Sequence, residues 1–235
     1  MRYLAFDTET SGVDVFNDHI VQAVLSLYDG DENTLIKERE WFIDPGIDIP
    51  QGAVDVHGFS NEFLKEHGKP TKDVISEISD TLIEWYDEAQ YDTVLSIMNA
   101  PFDTSILNAE LARIGHSAVN WDSFLIGDVL VIDKAIDKFR KGSRKLVDMA
   151  KHYKIKFDES EAHDAGFDNW LSVAVLSRIL KKRPVDASLS GHQHFMEFQR
   201  KAKAEQAKSF QSYLRRKEND DSIVINGDWP TQWKG

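Results

Sequence analysis

The spacing of the apolar residues changes along the chain, and this change limits the fold more than any other feature of the sequence. Three apolar runs typical of strands come first, over residues 3–8, 19–29 and 36–44, with turn-forming Asp, Gly and Asn residues between the last two. Such runs and turns predict consecutive antiparallel strands. From Thr71 the apolar residues recur at helical spacing over residues 72–89, and helices then alternate with short apolar strands. This order predicts an α/β fold with a mixed sheet.

The elements after the first three strands follow from local signals. Pro45, Gly46, Pro50 and Gly52 predict irregular chain, and Ser60 is placed to cap a short helix. The apolar patterns then predict a strand over residues 93–100, a helix over 101–114, a buried strand over 124–133, a helix over 145–155 and a helix from about residue 164 to 184.

The last part of the chain has a different character. Residues 186–191 have the composition of a linker, and an apolar stripe between Phe195 and Leu214 predicts a helix that ends near Lys217. We therefore predict a main domain over residues 1–184 and a C-terminal helical tail over residues 185–235. The stripe does not specify its cover, so the main domain and a groove on a partner protein both remain open. Residues 222–233 contain a short β-like run and two tryptophans that we expect to dock.

The net charge limits how the chain can meet nucleic acid. The 28 lysines and arginines stand against 40 acidic residues, which gives a formal charge of −12. A surface of this sign repels phosphate at long range, so a large sequence-independent footprint on nucleic acid is not expected. Residues 134–145 (KAIDKFRKGSRK) are the exception, because six of these twelve residues are basic. They are either a solvated helix end with its loop or a patch that follows phosphates.

Composition also bears on location. No apolar run approaches the roughly 20 residues that span a bilayer, which argues against a membrane role. The first apolar run begins at Tyr3 after a single Arg and lacks a small-residue cleavage site, so a signal peptide is not expected. The chain has no cysteine, hence no disulfide and no thiolate metal site, which favours the cytoplasm.

Acidic residues recur at the ends of predicted strands and the starts of predicted helices. Asp7 and Glu9 are two apart at the end of the first strand, so their carboxylates share one face and repel each other unless a positive group lies between them. Asp103 lies in the first turn of the helix that follows the strand at 93–100. His163 and Asp168 stand at the start of a late helix. Each signal alone is weak, since exposed acidic residues are common at such positions.

Together these segments resemble a known family. FDTET near the N-terminus, NAPFD after a strand and H-x-A-x-x-D at the start of a late helix are similar to the motifs of the DEDDh group of 3′→5′ exonucleases, particularly proofreading subunits of bacterial replicative polymerases. The segments VHGFSNEFL and RKLVDMAKHYKI extend the resemblance to residues 3–180. Met98 departs from the family, where many members have His, but that position is not a metal ligand.

The resemblance implies an RNase H-like α/β domain and a reaction that depends on two Mg²⁺ or Mn²⁺ ions, which prefer oxygen ligands. It implies that Asp7 bridges both ions, that Asp168 and Glu9 hold one of them, and that Asp103 acts on the other largely through water. His163 is then the general base that takes a proton from the attacking water, a task that suits an imidazole near neutral pH. The expected products are nucleoside 5′-monophosphates.

The resemblance also implies a substrate site for a single-stranded or frayed 3′ end of DNA, with contacts from Thr8, Glu9, His57, Asn99, Phe102 and Lys145. Aromatic side chains there can stack on terminal bases, although each can equally be a core residue. RNA remains an alternative substrate, because the sequence does not reveal a 2′-hydroxyl pocket. A third interpretation is an inactive module that binds a polymerase or another replication protein through the tail.

Overall fold

The computed structural model describes residues 1–30, 34–89, 93–158, 165–182 and 189–235. Its strands are β1 (Arg2–Thr10), β2 (Ile20–Asp29), β3 (Thr34–Asp44), β4 (Lys69–Pro70), β5 (Thr93–Ile97) and β6 (Ile126–Asp128). Its helices are α1 (Gln51–His57), α2 (Asn61–His67), α3 (Thr71–Glu88), α4 (Pro101–Arg113), α5 (Val129–Ile136), α6 (Leu146–His152), α7 (Ala165–Lys182) and α8 (Leu189–Glu218).

The strands of the described residues form one mixed sheet in the order β4-β3-β2-β1-β5-β6. The first three strands pair antiparallel, whereas β5 runs parallel to β1, and β6 runs parallel to β5. The predicted α/β fold with three leading antiparallel strands is therefore confirmed. Ser60 caps α2 as predicted, because its hydroxyl accepts a hydrogen bond from the Phe63 backbone N–H at 3.1 Å.

The central strand β1 is buried on both faces. Leu4 and Phe6 pack into a core with α3 and α4, whereas Tyr3 and Ala5 pack into a second core with α5, α6 and α7. This alternation follows from the two-residue period of a strand. The same alternation sets the direction of the polar side chains that follow. Asp7 and Glu9 lie on the same face of β1 as Tyr3 and Ala5, which is the face that α7 covers.

One predicted strand is wrong. Residues 124–133 form only the short strand β6, and the chain turns into α5 at Val129. The reason is Asp128, whose carboxylate accepts hydrogen bonds from the backbone N–H groups of Leu130 and Val131, each at 3.1 Å. A helix N-cap therefore interrupts an apolar run that would otherwise suit a strand.

Three smaller expectations are also corrected. Residues 51–57, expected to be irregular because of Pro50 and Gly52, form α1, since proline lies just before the first turn, where its missing N–H has no cost. Leu189 and the two residues after it, expected to be linker, already belong to α8, while residues 183–188 lie outside the described residues. Residues 222–233 pair with no strand of the described sheet.

The first half of α8 packs against the edge strand β6. The side-chain amide of Gln199 donates to the Ile126 carbonyl at 2.7 Å and its oxygen accepts from the Asp128 N–H at 2.8 Å. Gln199 thus satisfies backbone groups that an edge strand leaves unpaired. Part of the apolar stripe of the tail is therefore covered by the main domain, through Met196 and Ala202. The division into residues 1–184 and 185–235 remains a prediction.

The last residues of the chain return to the domain. Trp229 is 4% exposed and donates its indole N–H to the Asp128 carboxylate at 3.1 Å. The hydroxyl of Thr104 in α4 donates to the Pro230 carbonyl at 2.7 Å. None of the helices in the described residues is long and apolar enough to cross a membrane.

We expect Trp229→Ala to lower the free energy of unfolding by about 3–5 kcal/mol, because it removes a buried aromatic side chain and leaves a cavity. Urea titration followed by tryptophan-independent circular dichroism measures this loss. Trp233→Ala is the matched control, since Trp233 is only half-buried beside Phe16. Equal losses for the two variants would show that the segment is not anchored at Trp229.

Candidate active site

The end of β1 projects beyond its parallel neighbour. The β1–β5 ladder stops at Ala5, opposite Ser96, so the residues that follow on β1 lie past the carboxyl end of β5. Helix α4 begins at Pro101, directly after that end, and brings Asp103 to the same edge of the sheet. Carboxyl ends of parallel strands are where α/β folds place their sites. Asp7, Glu9 and Asp103 therefore meet although 96 positions separate the first from the last.

Helix α7 brings the fourth carboxylate. The side-chain amide of Asn169 donates to the Val24 carbonyl at 3.1 Å and to the Ser26 hydroxyl at 3.0 Å. Val24 is paired with Asp7 across the β1–β2 ladder. These contacts hold the first turns of α7 over the end of β1, so Asp168, the neighbour of Asn169, lies near enough to Asp7 for its charge to raise the pKa of that carboxyl group.

The four carboxyl groups act on one another electrostatically. Removal from water raises the pKa of Asp7 well above its usual range, and the charges of Asp103, Glu9 and Asp168 raise it further. Burial, together with the charge of Asp168, raises the pKa of Glu9 to about 7. Burial also raises the pKa of Asp103 to about 7, although a hydrogen bond from Thr8 opposes this shift. Ionisation of these carboxyl groups is therefore unfavourable because of burial and mutual repulsion, and a bound cation would offset both effects.

Thr8 has a different position from the one expected for a substrate contact. Its side chain points to the other face of β1 and its hydroxyl donates to the Asp103 carboxylate at 2.7 Å. Both groups are buried, with Asp103 only 3% exposed. Thr8 therefore orients a carboxylate, and its role toward substrate stays a prediction.

The donor set fits divalent cations that prefer oxygen. Four carboxylates of Asp7, Glu9, Asp103 and Asp168 face one cleft, and their mutual repulsion favours a positive ligand. Within the residues that the structure describes, no three His, Cys, Asp or Glu side chains already stand close enough together to hold an ion.

The remaining predicted residues fall into two groups. Asn99 lies in the turn that leads into α4, and Phe102, in the first turn of that helix, is half-buried against the core. His57 is buried and stacks on Phe59 at 5.2 Å, and none of its described contacts joins it to the carboxylates. Lys145 is exposed at the start of α6, likewise without a described contact to them. The substrate roles of these residues remain predictions, as does that of His163, which lies outside the described residues together with Asp164.

No sequence pattern indicated that the tail supports the turn before α4. Asn99 has a left-handed backbone with φ 66°, a conformation that Asn tolerates better than most residues. Its backbone N–H and that of Ala100 donate to the Asp128 carboxylate at 3.2 and 2.9 Å, and its side chain accepts from Lys203 of α8 at 3.2 Å. The acidic residue Asp128 at the end of a buried apolar run is the sequence signal that could have predicted a partner for these backbone groups.

Comparison with known proteins shows the family of the chain. The Exonuclease family model matches residues 4–176. The DNA polymerase III subunit epsilon of Rickettsia felis is 27% identical over 172 residues, which are 70% of this chain and 68% of that protein. The mixed sheet with its helices has an RNase H-like fold. The chain belongs to the exonuclease family, as a DEDDh-type 3′→5′ exonuclease.

Solved structures show the same fold. A structure of exonuclease I superposes with a TM-score of 0.65 at 19% identity, over 82% of this chain and 42% of that one. The zinc-bound complex of Escherichia coli exonuclease I with single-stranded DNA superposes with a TM-score of 0.61 at 18% identity, over 78% of this chain and 41% of that one. The chain thus spans less than half of the exonuclease I polypeptide.

Proposed function

We propose that the protein removes nucleotides from the 3′ end of single-stranded or frayed DNA, one at a time, and releases nucleoside 5′-monophosphates. The observation that carries the proposal is the convergence of four carboxylates, from β1, α4 and α7, at one edge of the sheet. A DNA substrate is supported by the similarity to polymerase III epsilon subunits and by the DNA bound to exonuclease I. Roles in proofreading or repair are part of the same proposal.

The proposed chemistry assigns a task to each acidic side chain. Asp7, Glu9, Asp103 and Asp168 would hold two Mg²⁺ or Mn²⁺ ions, which when bound supply charge that stabilises the attacking and leaving oxygens of an in-line displacement. Thr8 holds the Asp103 carboxylate in place. Glu9, which is partly exposed, is also available to the sugar hydroxyl of the terminal nucleotide.

The remaining steps concern the proton and the bond that breaks. His163 accepts a proton from water as the water oxygen attacks the terminal phosphorus. The bond between that phosphorus and the 3′-oxygen of the preceding nucleotide breaks, and the terminal nucleotide leaves as a 5′-monophosphate. The preceding nucleotide keeps its 3′-oxygen and takes a proton, so it becomes the new 3′ end.

The net charge of −12 is compatible with this substrate. An enzyme that acts on a terminus needs to hold only the last few nucleotides, and bound cations neutralise phosphate locally. A frayed or mismatched end costs less to unpair, so preference for mispairs can arise without any base-specific contact.

The proposal is tested with a 5′-labelled single-stranded DNA dodecamer and its RNA equivalent. We expect a ladder of products shortened from the 3′ end, with mononucleotide release that is faster for DNA. Faster release from RNA would transfer the proposal to an exoribonuclease. If neither oligomer is shortened under any condition, the protein acts as a binding module.

A second prediction concerns metal removal. We expect a chelator to abolish release, and Mg²⁺ or Mn²⁺ to restore it and to raise the melting temperature, because a cation relieves repulsion among the carboxylates. Thermal unfolding with and without each ion measures the stabilisation. Asp7→Ala should lose this stabilisation, whereas Asp55→Ala, which removes an exposed carboxylate on α1, should keep it. Equal stabilisation of both variants would contradict the ligand assignment.

A further inference from the structure

A groove between α5 and α8 has a charge opposite to that of the protein as a whole. It encloses about 630 Å³. Lys134 and Lys138 line one wall, Lys201 lies on the other, and the exposed rings of Phe198, Phe210 and Tyr213 stand on the α8 side. Neither the carboxylates nor their supports lie in this groove, so the nuclease chemistry leaves its cations and rings unexplained.

The arginines of the groove differ in their pairing from Lys134 and Lys138. On the α8 side, Lys201 forms an ion pair with Glu197 at 3.4 Å, and Glu205 also lines the groove. Arg140 and Arg144 both bind the buried carboxylate of Asp133, which also accepts from the Tyr153 hydroxyl at 2.8 Å. Within the described parts of the chain, no carboxylate pairs with Lys134 or Lys138. The arginines therefore belong to the architecture of the loop, whereas these two lysines are available for an external anion.

The surroundings of Lys134 favour such an anion. Burial lowers the pKa of its ammonium group, and the nearby positive charges of Lys203 and Arg144 lower it further. Several cations are thus held together at one place in an acidic protein. A phosphate group bound among them would relieve this repulsion.

The aromatic wall suits bases. Phe198, Phe210 and Tyr213 are 42%, 51% and 50% exposed, unusually open for large rings on one helix. The rings of Phe210 and Tyr213 lie 6.4 Å apart and nearly parallel. Exposed rings beside lysines are the combination with which proteins hold single strands, since bases stack on the rings and phosphates meet the cations.

Lys203 of α8 is next to the groove in sequence and next to the turn before α4 in space. It follows Ala202, which lines the groove, and it donates to the Asn99 side chain at 3.2 Å. Asn99 precedes Asp103 by four residues, in the turn that leads into α4. A strand whose terminal nucleotide reaches the carboxylates would enter the groove by passing Asn99 and Lys203.

We propose that the groove between α5 and α8 binds the single strand on the 5′ side of the terminal nucleotide, with its phosphates on Lys134, Lys138 and Lys201 and its bases on Phe198, Phe210 and Tyr213. This inference rests on the proposed function, because it assigns the direction of the substrate relative to the carboxylates. The rings span 15 residues of α8, or about 22 Å at 1.5 Å per residue, so several nucleotides are bound.

The test measures binding of labelled dT12 by fluorescence anisotropy in a chelator, with Asp7→Ala as the background so that the strand stays intact. We expect Lys138→Glu to weaken binding about fivefold or more at moderate salt, because it replaces a phosphate contact with a repulsive charge. Lys208→Glu is the matched control, since Lys208 is exposed on α8 outside the groove and its change in net charge is the same. The control should bind dT12 as the background protein does.

The rings are tested with an abasic 12-mer, which has phosphates without bases. Phe210→Ala should weaken dT12 binding about fivefold or more and leave the abasic strand unaffected, whereas Lys138→Glu should weaken both. Equal dT12 affinity for Lys138→Glu and Lys208→Glu would overturn the proposal and favour a protein partner as the ligand of the groove. An equal effect of Phe210→Ala on both strands would overturn the stacking role.

Failure of the nuclease proposal gives a different result. Hydrolysis of thymidine 5′-(4-nitrophenyl phosphate) by the wild-type protein depends on the nuclease site and not on the groove, because this ester is too short to enter the groove. If the ester is not hydrolysed, the nuclease proposal is refuted. If the groove variants bind dT12 as tightly as the background protein, strand binding in the groove is refuted.

Discussion

Asp7→Ala is expected to reduce mononucleotide release by about 10³-fold or more. Asp7 is the carboxylate on which the charges of the other three converge, so its loss removes the expected bridge between two cations. Metal ions contribute several kcal/mol to transition states of this kind, and each 1.4 kcal/mol corresponds to a factor of ten. Single-turnover release from a labelled DNA dodecamer at saturating Mn²⁺ measures the loss.

Asp7→Asn separates this effect from misfolding. The amide has the shape of the carboxylate without its charge, so we expect the same loss of activity together with a higher melting temperature in the absence of divalent ions, because repulsion and the cost of burying the charge are both relieved. Activity of Asp7→Asn close to that of the wild type would refute the bridging role. A lower melting temperature would instead mean that the repulsion inferred among the carboxylates is absent.

His163→Ala should lower the rate by roughly 10²- to 10⁴-fold, the usual contribution of a general base. The affinity for Mn²⁺, measured by calorimetry, should stay close to that of the wild type, since the four carboxylates remain. Added imidazole should restore part of the rate by acting as an external base. His194→Ala, on α8, is the control and should keep the wild-type rate.

Two results would contradict the assignment of His163. A rate within a few-fold of the wild type would exclude a base at this position. A large loss of Mn²⁺ affinity would make His163 a ligand or a support of the metal site. The Asp7 and His163 variants together therefore distinguish the side chains that hold cations from the side chain that moves a proton.

The tail supports the domain, and we propose that it also binds the strand. Around Gln199 and Trp229 it packs on β6 and Asp128, and through Lys203 it contacts the turn before α4. Burial lowers the pKa of Lys203, and the charge of Asp128 opposes that shift. The residues proposed to bind the strand, from Phe198 to Tyr213, are other residues of the same helix. Structural support and substrate binding can thus reside on one helix without conflict.

The sequence by itself determined what depends on local spacing. The period-two runs specified the antiparallel opening of the sheet, the helical periods specified α3 and α4, and Ser60 specified the start of α2. The motifs that contain Asp7, Asp103 and Asp168 identified the family, because residue type and order carry that information without coordinates.

The tertiary structure alone decided features that depend on distant partners. A buried strand and a buried helix can have the same apolar run, so only the contacts of Asp128 ended β6 and began α5. The apolar stripe of α8 did not reveal its cover, because amphipathicity specifies a face and not what packs on it. The link from Lys203 to Asn99 joins positions 104 apart, and such pairs form only when the sheet and its helices bring them together.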